Sequence, residues 1–194
     1  MAGKVTVTQV QLGDNAPATQ NFVWQTNNDG TAKLARGNVG ATTQDILTVD
    51  ATGKVAFNQM PSPCFSAFQS VAQAIAANTL TKVAFQTKEF DVTTAYDSVT
   101  NFRFTPLVAG YYQVNANFAV ATSVCTMYTT IYKNGAAYKS GCELINGGYA
   151  AVNAIVQMNG TTDYIEIFAS ASIGQNTSAI QNGTYFQASL VQRV

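Results

Sequence analysis

The chain has 194 residues, only 10% of them charged, and its 10 basic and 10 acidic side chains cancel to a net charge of zero. That balance leaves no electrostatic footprint for nucleic acid or an anionic membrane surface, and no apolar run is long enough to cross a bilayer as a helix, so neither a nucleic-acid partner nor membrane insertion is expected. With 47% hydrophobic and 11% aromatic residues the chain should nevertheless fold, and its length accommodates one ordinary domain plus something smaller.

The opening residues, Met1 to Thr8, carry no continuous apolar stretch of the kind that makes a secretory signal. From there to residue 57, short β-branched runs alternate with turn residues. Phe22 to Gln25 and Ala32 to Arg36 flank Asn27-Asn28-Asp29-Gly30, while Ile46 to Val49 and Lys54 to Phe57 flank Asp50-Ala51-Thr52-Gly53. Each predicts a β-hairpin with glycine where φ must be positive. Two small hairpins bury little apolar surface, so this stem should need partner chains for stability. Pro61-Ser62-Pro63 forbids helix and central strand alike. The expected organisation is therefore a β stem or attachment segment at 1–57, a linker at 58–63 and a second domain at 64–194.

Residues 65 to 77 are ambiguous, since Phe68, Val71, Ala72 and Ile75 match helical spacing whereas Phe65 to Phe68 also fits a strand. Beyond Lys82 the pattern is β. Tyr112, Val114, Ala116, Phe118 and Val120 form one apolar face opposite Gln113, Asn115 and Asn117, as in a half-buried antiparallel sheet. Further strands are predicted from Val124 to Lys133, Ala136 to Leu144, Tyr149 to Met158, Tyr164 to Ala171 and Thr184 to Val191, separated by Asn134-Gly135, Asn146-Gly147-Gly148, Asn159-Gly160 and the polar stretch Ser172 to Gly183. Many short strands with regular Asn and Gly turns predict an all-β sandwich or jelly roll.

Catalytic chemistry finds little to work with. There is no histidine, which removes the usual general base and the commonest metal ligand. Glu89-Phe90-Asp91 is the one close acidic pair, and on a strand it reads as a solvated face. Cys64, Cys125 and Cys142 make no C-x-x-C pair. With Asn134-Gly135 as a two-residue loop pairing Lys133 with Ala136, Cys125 should lie opposite Leu144 and Cys142 opposite Met127, diagonal on one face at a separation that disfavours a disulfide without a register shift, so both read as small buried hydrophobes. No enzyme activity, cofactor or metal site is expected.

The order Phe65-Ser66-Ala67-Phe68, Phe102-Arg103-Phe104-Thr105-Pro106, Gly110-Tyr111-Tyr112-Gln113-Val114, Tyr132-Lys133-Asn134-Gly135, Asn159 to Ile165 and Thr184 to Leu190 resembles a C1q domain of the C1q/TNF superfamily over residues 64–194. The resemblance implies a ten-stranded jelly roll, Phe65 to Phe68 as a strand, and a homotrimer around a three-fold axis. No collagen-like Gly-X-Y stem precedes this region. Instead Gln25 to Gly37 followed by Asp45 to Asp50 resembles the stem of short phage or prophage tail-fibre proteins. A trimer also has a physical motive: Tyr111, Tyr164 and Tyr185 each adjoin a core residue, so they fall on the opposite face and need burial elsewhere, which cyclic assembly supplies.

If strands from Tyr111 onward alternate in direction, the turns near Thr122, Asn146 and Ser172 to Gly183 share one end, and those at Asn134 and Asn159 share the other with the chain terminus. Receptor contacts are expected in the first group, at Asn146, Tyr149, Gln175, Asn176, Gln181 and Asn182, whose amides and aromatic ring suit sugar hydroxyls. The functional expectation is a trimeric tail-fibre or tail-tip adhesin of a phage or prophage, made in the bacterial cytoplasm, that attaches to a bacterial surface polysaccharide or protein and joins other tail proteins through its N-terminal segment. The rivals are a trimeric bacterial lectin and a purely structural virion component.

Overall fold

The structure is a computed structural model that describes residues 9–12, 21–27, 29–38, 41–57, 62–121, 125–141 and 144–194. The chain divides into two compact units, Met1–Met60 and Pro61–Val194. Most of the expected linker, the turn at Thr122 and Cys142 lie outside the described residues.

In the N-terminal unit β1 (Gln9–Leu12), β2 (Phe22–Thr26), β3 (Ala32–Asn38), β4 (Ala41–Val49) and β5 (Val55–Phe57) form one antiparallel sheet in chain order. Both expected hairpins are present, and β3 pairing with β4 joins them into a larger sheet than hairpin signals alone predict. Their turns are built alike. Gly30 and Gly53 both take φ 84°, which only glycine adopts without strain. Asp29 accepts from Thr31 N and Oγ1, and Asp50 accepts from Thr52 N and Oγ1 and from Lys54 N. These bonds, the Thr hydroxyls foremost, hold both carboxyls below the usual carboxylate range.

The larger unit contains β6 (Cys64–Phe68), β7 (Ala74–Ile75), β8 (Thr81–Lys82), β9 (Thr87–Asp91), β10 (Tyr96–Asp97), β11 (Arg103–Phe104), β12 (Gly110–Ala119), β13 (Cys125–Lys133), β14 (Ala136–Ser140), β15 (Leu144–Gly147), β16 (Tyr149–Met158), β17 (Ile165–Ala171), β18 (Gln175–Asn176) and β19 (Tyr185–Arg193). One sheet runs β16-β12-β19-β6-β9. The other runs β10-β11-β17-β13-β14, with β15 also on β13 and β8 on β17. Neighbours distant in sequence, such as β6 beside β19, make this a jelly roll rather than a meander. All named strand pairs are antiparallel, and β6 and β7 resolve the ambiguity of residues 65–77 in favour of strand.

Alternation fills the space between the sheets. Tyr112, Val114, Ala116 and Phe118 of β12 and Phe186 and Ala188 of β19 face Met127, Ile131, Ile165 and Ile167 across one core. At its centre Phe65 stacks on Tyr96 and Phe104, each at 4.7 Å, and meets Phe186 edge-on at 4.8 Å. Burial drives the Tyr96 phenol far above its ordinary range, and its hydroxyl donates to Phe85 O. Burial likewise pushes Tyr112 up to about 12.

Two sequence expectations are corrected here. The strand expected at Ala136–Leu144 is broken into β14 and β15. Lys133 does pair with Ala136, but a bulge between Ile131 and Tyr132 and a second irregularity further on move the register. Met127 therefore faces Leu144, and Cys125 faces Gly147 instead of Leu144. Cys125 is a buried free thiol whose sulfur accepts from Gln175 Nε2 at 3.0 Å.

Candidate functional site

Strand register defines the two ends of the jelly roll. Cys64 pairs with Ser189, and Gly110 with both Arg193 and Met158, so the chain enters the unit and finishes at one end. The turns at Asn134 and Asn159 lie there too, joined by Asp163, which accepts from Asn134 Nδ2, Asn159 N and Lys133 Nζ. Burial opposes the charge on Asp163, yet these donors outweigh it and lower the pKa. At the other end Phe68 pairs with Tyr185 and Ala119 with Tyr149. The short β7–β18 pair caps this end, with Ile75 buried beneath it.

The six expected receptor residues all map to that second end, in four different settings. Position 146 lies on β15, beside Gly147. Gln175 and Asn176 form β18, where Gln175 is held by Cys125 and Asn176 is exposed, its carbonyl taken by Ala121 N. Gln181 and Asn182 are exposed on the following turn. Tyr149, 53% exposed, sits on the outer side of β16 and so belongs to the sheet face rather than to the loops.

Gln181 is less free than a loop amide reads from sequence. Its Nε2 donates to Glu89, which also accepts from the hydroxyl of buried Ser66. Glu89 is the extra residue of a bulge in β9, between Phe90 opposite Ser66 and Lys88 opposite Ala67. The two hydrogen bonds, that from Ser66 first, hold its carboxyl below the ordinary range. The Glu89-Phe90-Asp91 pair is thus not merely a solvated face. Asp91 accepts from Ala95 N and Tyr96 N and pairs with Lys88 at 3.2 Å.

The outer face of the β16-β12-β19-β6 sheet is the other candidate surface. Tyr111, Gln113 and Asn115 of β12, Tyr149, Asn153, Ile155 and Gln157 of β16, Tyr185, Gln187 and Ser189 of β19, and Cys64, Ser66 and Phe68 of β6 occupy it. Tyr111, Ile155 and Tyr149 are 40%, 55% and 53% exposed. A cavity of about 240 Å³ opens on it, lined by Cys64, Phe65, Phe90, Asn115, Gln187, Ala188 and Ser189. Glu89 at the β9 margin is the charge next to this surface. Two of the three expected interface tyrosines, Tyr111 and Tyr185, share this face. Tyr164 precedes β17 in the opposite sheet, where the Arg103 guanidinium lies 4.6 Å over its ring. Sequence reading passed over Ile155, although its signal was present: the solvent-side positions of β16 read Tyr, Ala, Asn, Ile, Gln, without a single charge.

No family model and no curated protein matches the chain. The larger unit is a C1q/TNF-like jelly roll, the class that its two antiparallel sheets and their strand order define. Solved structures with this fold include murine APRIL, at TM-score 0.54 and 11% identity over 68% of this chain and 100% of that one. The globular domain of zebrafish complement 1qA protein gives TM-score 0.50 and 15% identity over 69% and 100%. The vertex protein P5 of phage PRD1 gives TM-score 0.52 and 14% identity over 69% and 100%. The likeness therefore extends from mammalian and fish proteins to a component of a phage particle, and it is one of fold.

Proposed function

We propose that the chain is a phage or prophage tail-fibre or tail-tip protein. In this reading it is a homotrimeric adhesin that attaches to a bacterial surface polysaccharide or protein, with its N-terminal segment joined to other tail proteins. The observation that carries the reading is the outer face around Ile155, where exposed aromatic and aliphatic side chains lie among neutral amides. Three identical copies can bring such faces together with no like charges opposed, whereas one copy alone leaves Tyr111, Tyr149 and Ile155 wet. The fold shared with a phage vertex protein supports a place in the virion. Three-fold repetition then presents the exposed amides of Asn176 and Asn182 three times at one end, and a repetitive polysaccharide would meet them with avidity.

A second reading, a structural virion component with no receptor of its own, is favoured by the internal hydrogen bonds of Gln175 and Gln181. Purified protein on an array of bacterial surface polysaccharides separates the two. The adhesin reading expects binding that Asn182→Ala weakens while the melting temperature stays. Absence of binding across the array, with the chain present in purified virions, would favour the structural component.

A further inference from the structure

The N-terminal sheet has two faces of different chemistry. Directly paired residues share a face, so the register sorts them. One face carries Gln25, Lys33 and Thr48, with Lys33 paired to Asp45 at 2.9 Å, and here Val23 and Ala35 are fully buried. The other carries Trp24, Leu34 and Leu47 in one row across three strands, with β1 paired beyond β2 and β5 beyond β4. Ala32, Val49 and Val55 make the next row. Arg36, opposite Phe22, is the charge on this face and stands at its end. Yet Trp24 remains 40% exposed and Val55 51%, and Leu34, Leu47 and Val49 are only half-buried. The apolar face is the wet one.

We infer that this face closes on the same face of further copies of the chain, so that the stem is a second self-association surface within the homotrimer proposed above, on which reading it rests. Three observations select a copy of the chain over another occupant. Val23 and Ala35 are the only fully buried apolar residues among those of the unit whose side chains are described, far fewer than a self-sufficient domain of this size needs. The ion pair is segregated to the opposite face, so identical faces meet without opposed charges along the Trp24 row. The area also fits. Five strands about 4.8 Å apart, each contributing roughly five residues of about 3.4 Å, give about 400 Å² of surface per chain, a patch of the size that on soluble proteins often marks a contact and about half of one partner's share in a standard interface, as suits a surface that adds to the contact of the larger unit.

Trp24 is the single tryptophan of the chain, so its fluorescence reads this face and no other. Acrylamide quenching of the full chain is compared with that of the urea-unfolded chain, and sedimentation equilibrium is run on the same sample. A closed face predicts a trimer in which quenching falls by about tenfold, because interface cores pack as protein interiors do. A ring left 40% exposed gives only a two- to threefold fall. That result in a trimer overturns the inference and leaves the trimer standing. A monomer overturns both. Leu47→Glu provides the check on cause: quenching should rise towards the unfolded value while the trimer mass persists. Protection that survives Leu47→Glu, or that arises only when another virion protein is added, means that something other than a second copy covers Trp24 and contradicts the inference.

Discussion

Replacing Gln181 by alanine separates the structural from the binding role of the loop before β19. The substitution removes the amide that donates to Glu89 and leaves the Ser66 bond in place. A hydrogen bond to a charged group is worth about 1.5–3 kcal/mol when desolvated, but Glu89 is exposed, and water replacing the amide reduces the loss to about 0.5–1 kcal/mol. For a chain of this length that is a fall of roughly 1–4 °C in melting temperature. The pH dependence has a definite sign. A folded-state pKa held below the unfolded value contributes stability above the unfolded pKa and loses it as pH falls through the folded one. The gap between native and Gln181→Ala proteins is therefore expected at neutral pH and closes under acid, once Glu89 is protonated in both. Differential scanning calorimetry from pH 7 downward measures it. A gap of the same size at pH 7 and in acid would refute the argument that Gln181 acts through the Glu89 carboxylate.

Phe65→Ala removes the ring that contacts Tyr96, Phe104 and Phe186 and should cost about 4 kcal/mol, against less than about 0.5 kcal/mol for Leu107→Ala at a 75% exposed position. Urea unfolding at one fixed protein concentration compares them, and similar midpoints for the two variants would refute the core assignment. Chelation is expected to leave the melting temperature unchanged, because the sequence has no histidine and few acidic residues. A large drop in EDTA would reveal an ion held between chains.

The strands were legible where alternation ran long. Tyr112, Val114, Ala116 and Phe118 mark the core side of β12 directly, and Tyr149 to Met158 is β16 to the residue. What escaped the sequence is what depends on single insertions. The bulge at Ile131/Tyr132 and the irregularity between Cys125 and Met127 together displaced Cys125 from Leu144, and the bulge at Glu89 aimed a carboxylate at Ser66 and Gln181. A bulge carries no periodic signal when neither of its residues is glycine. For the turns at Asn134, Asn159 and Ser172 to Gly183 the end of the jelly roll was readable, since antiparallel strands fix it by parity. Which amides on those turns are already engaged was not, because Cys125 and Glu89 reach Gln175 and Gln181 from distant parts of the chain.

Self-association through the outer face of the β16-β12-β19-β6 sheet underlies the whole account. Sedimentation equilibrium of the purified chain at micromolar concentration tests it most directly, alongside Ile155→Asp, which would place three carboxylates in the interface at a position 55% exposed in one chain. A native mass three times the 20.6 kDa of the chain is expected, with the trimer mass lost in the variant. A native protein that sediments as a single 20.6 kDa species would contradict it.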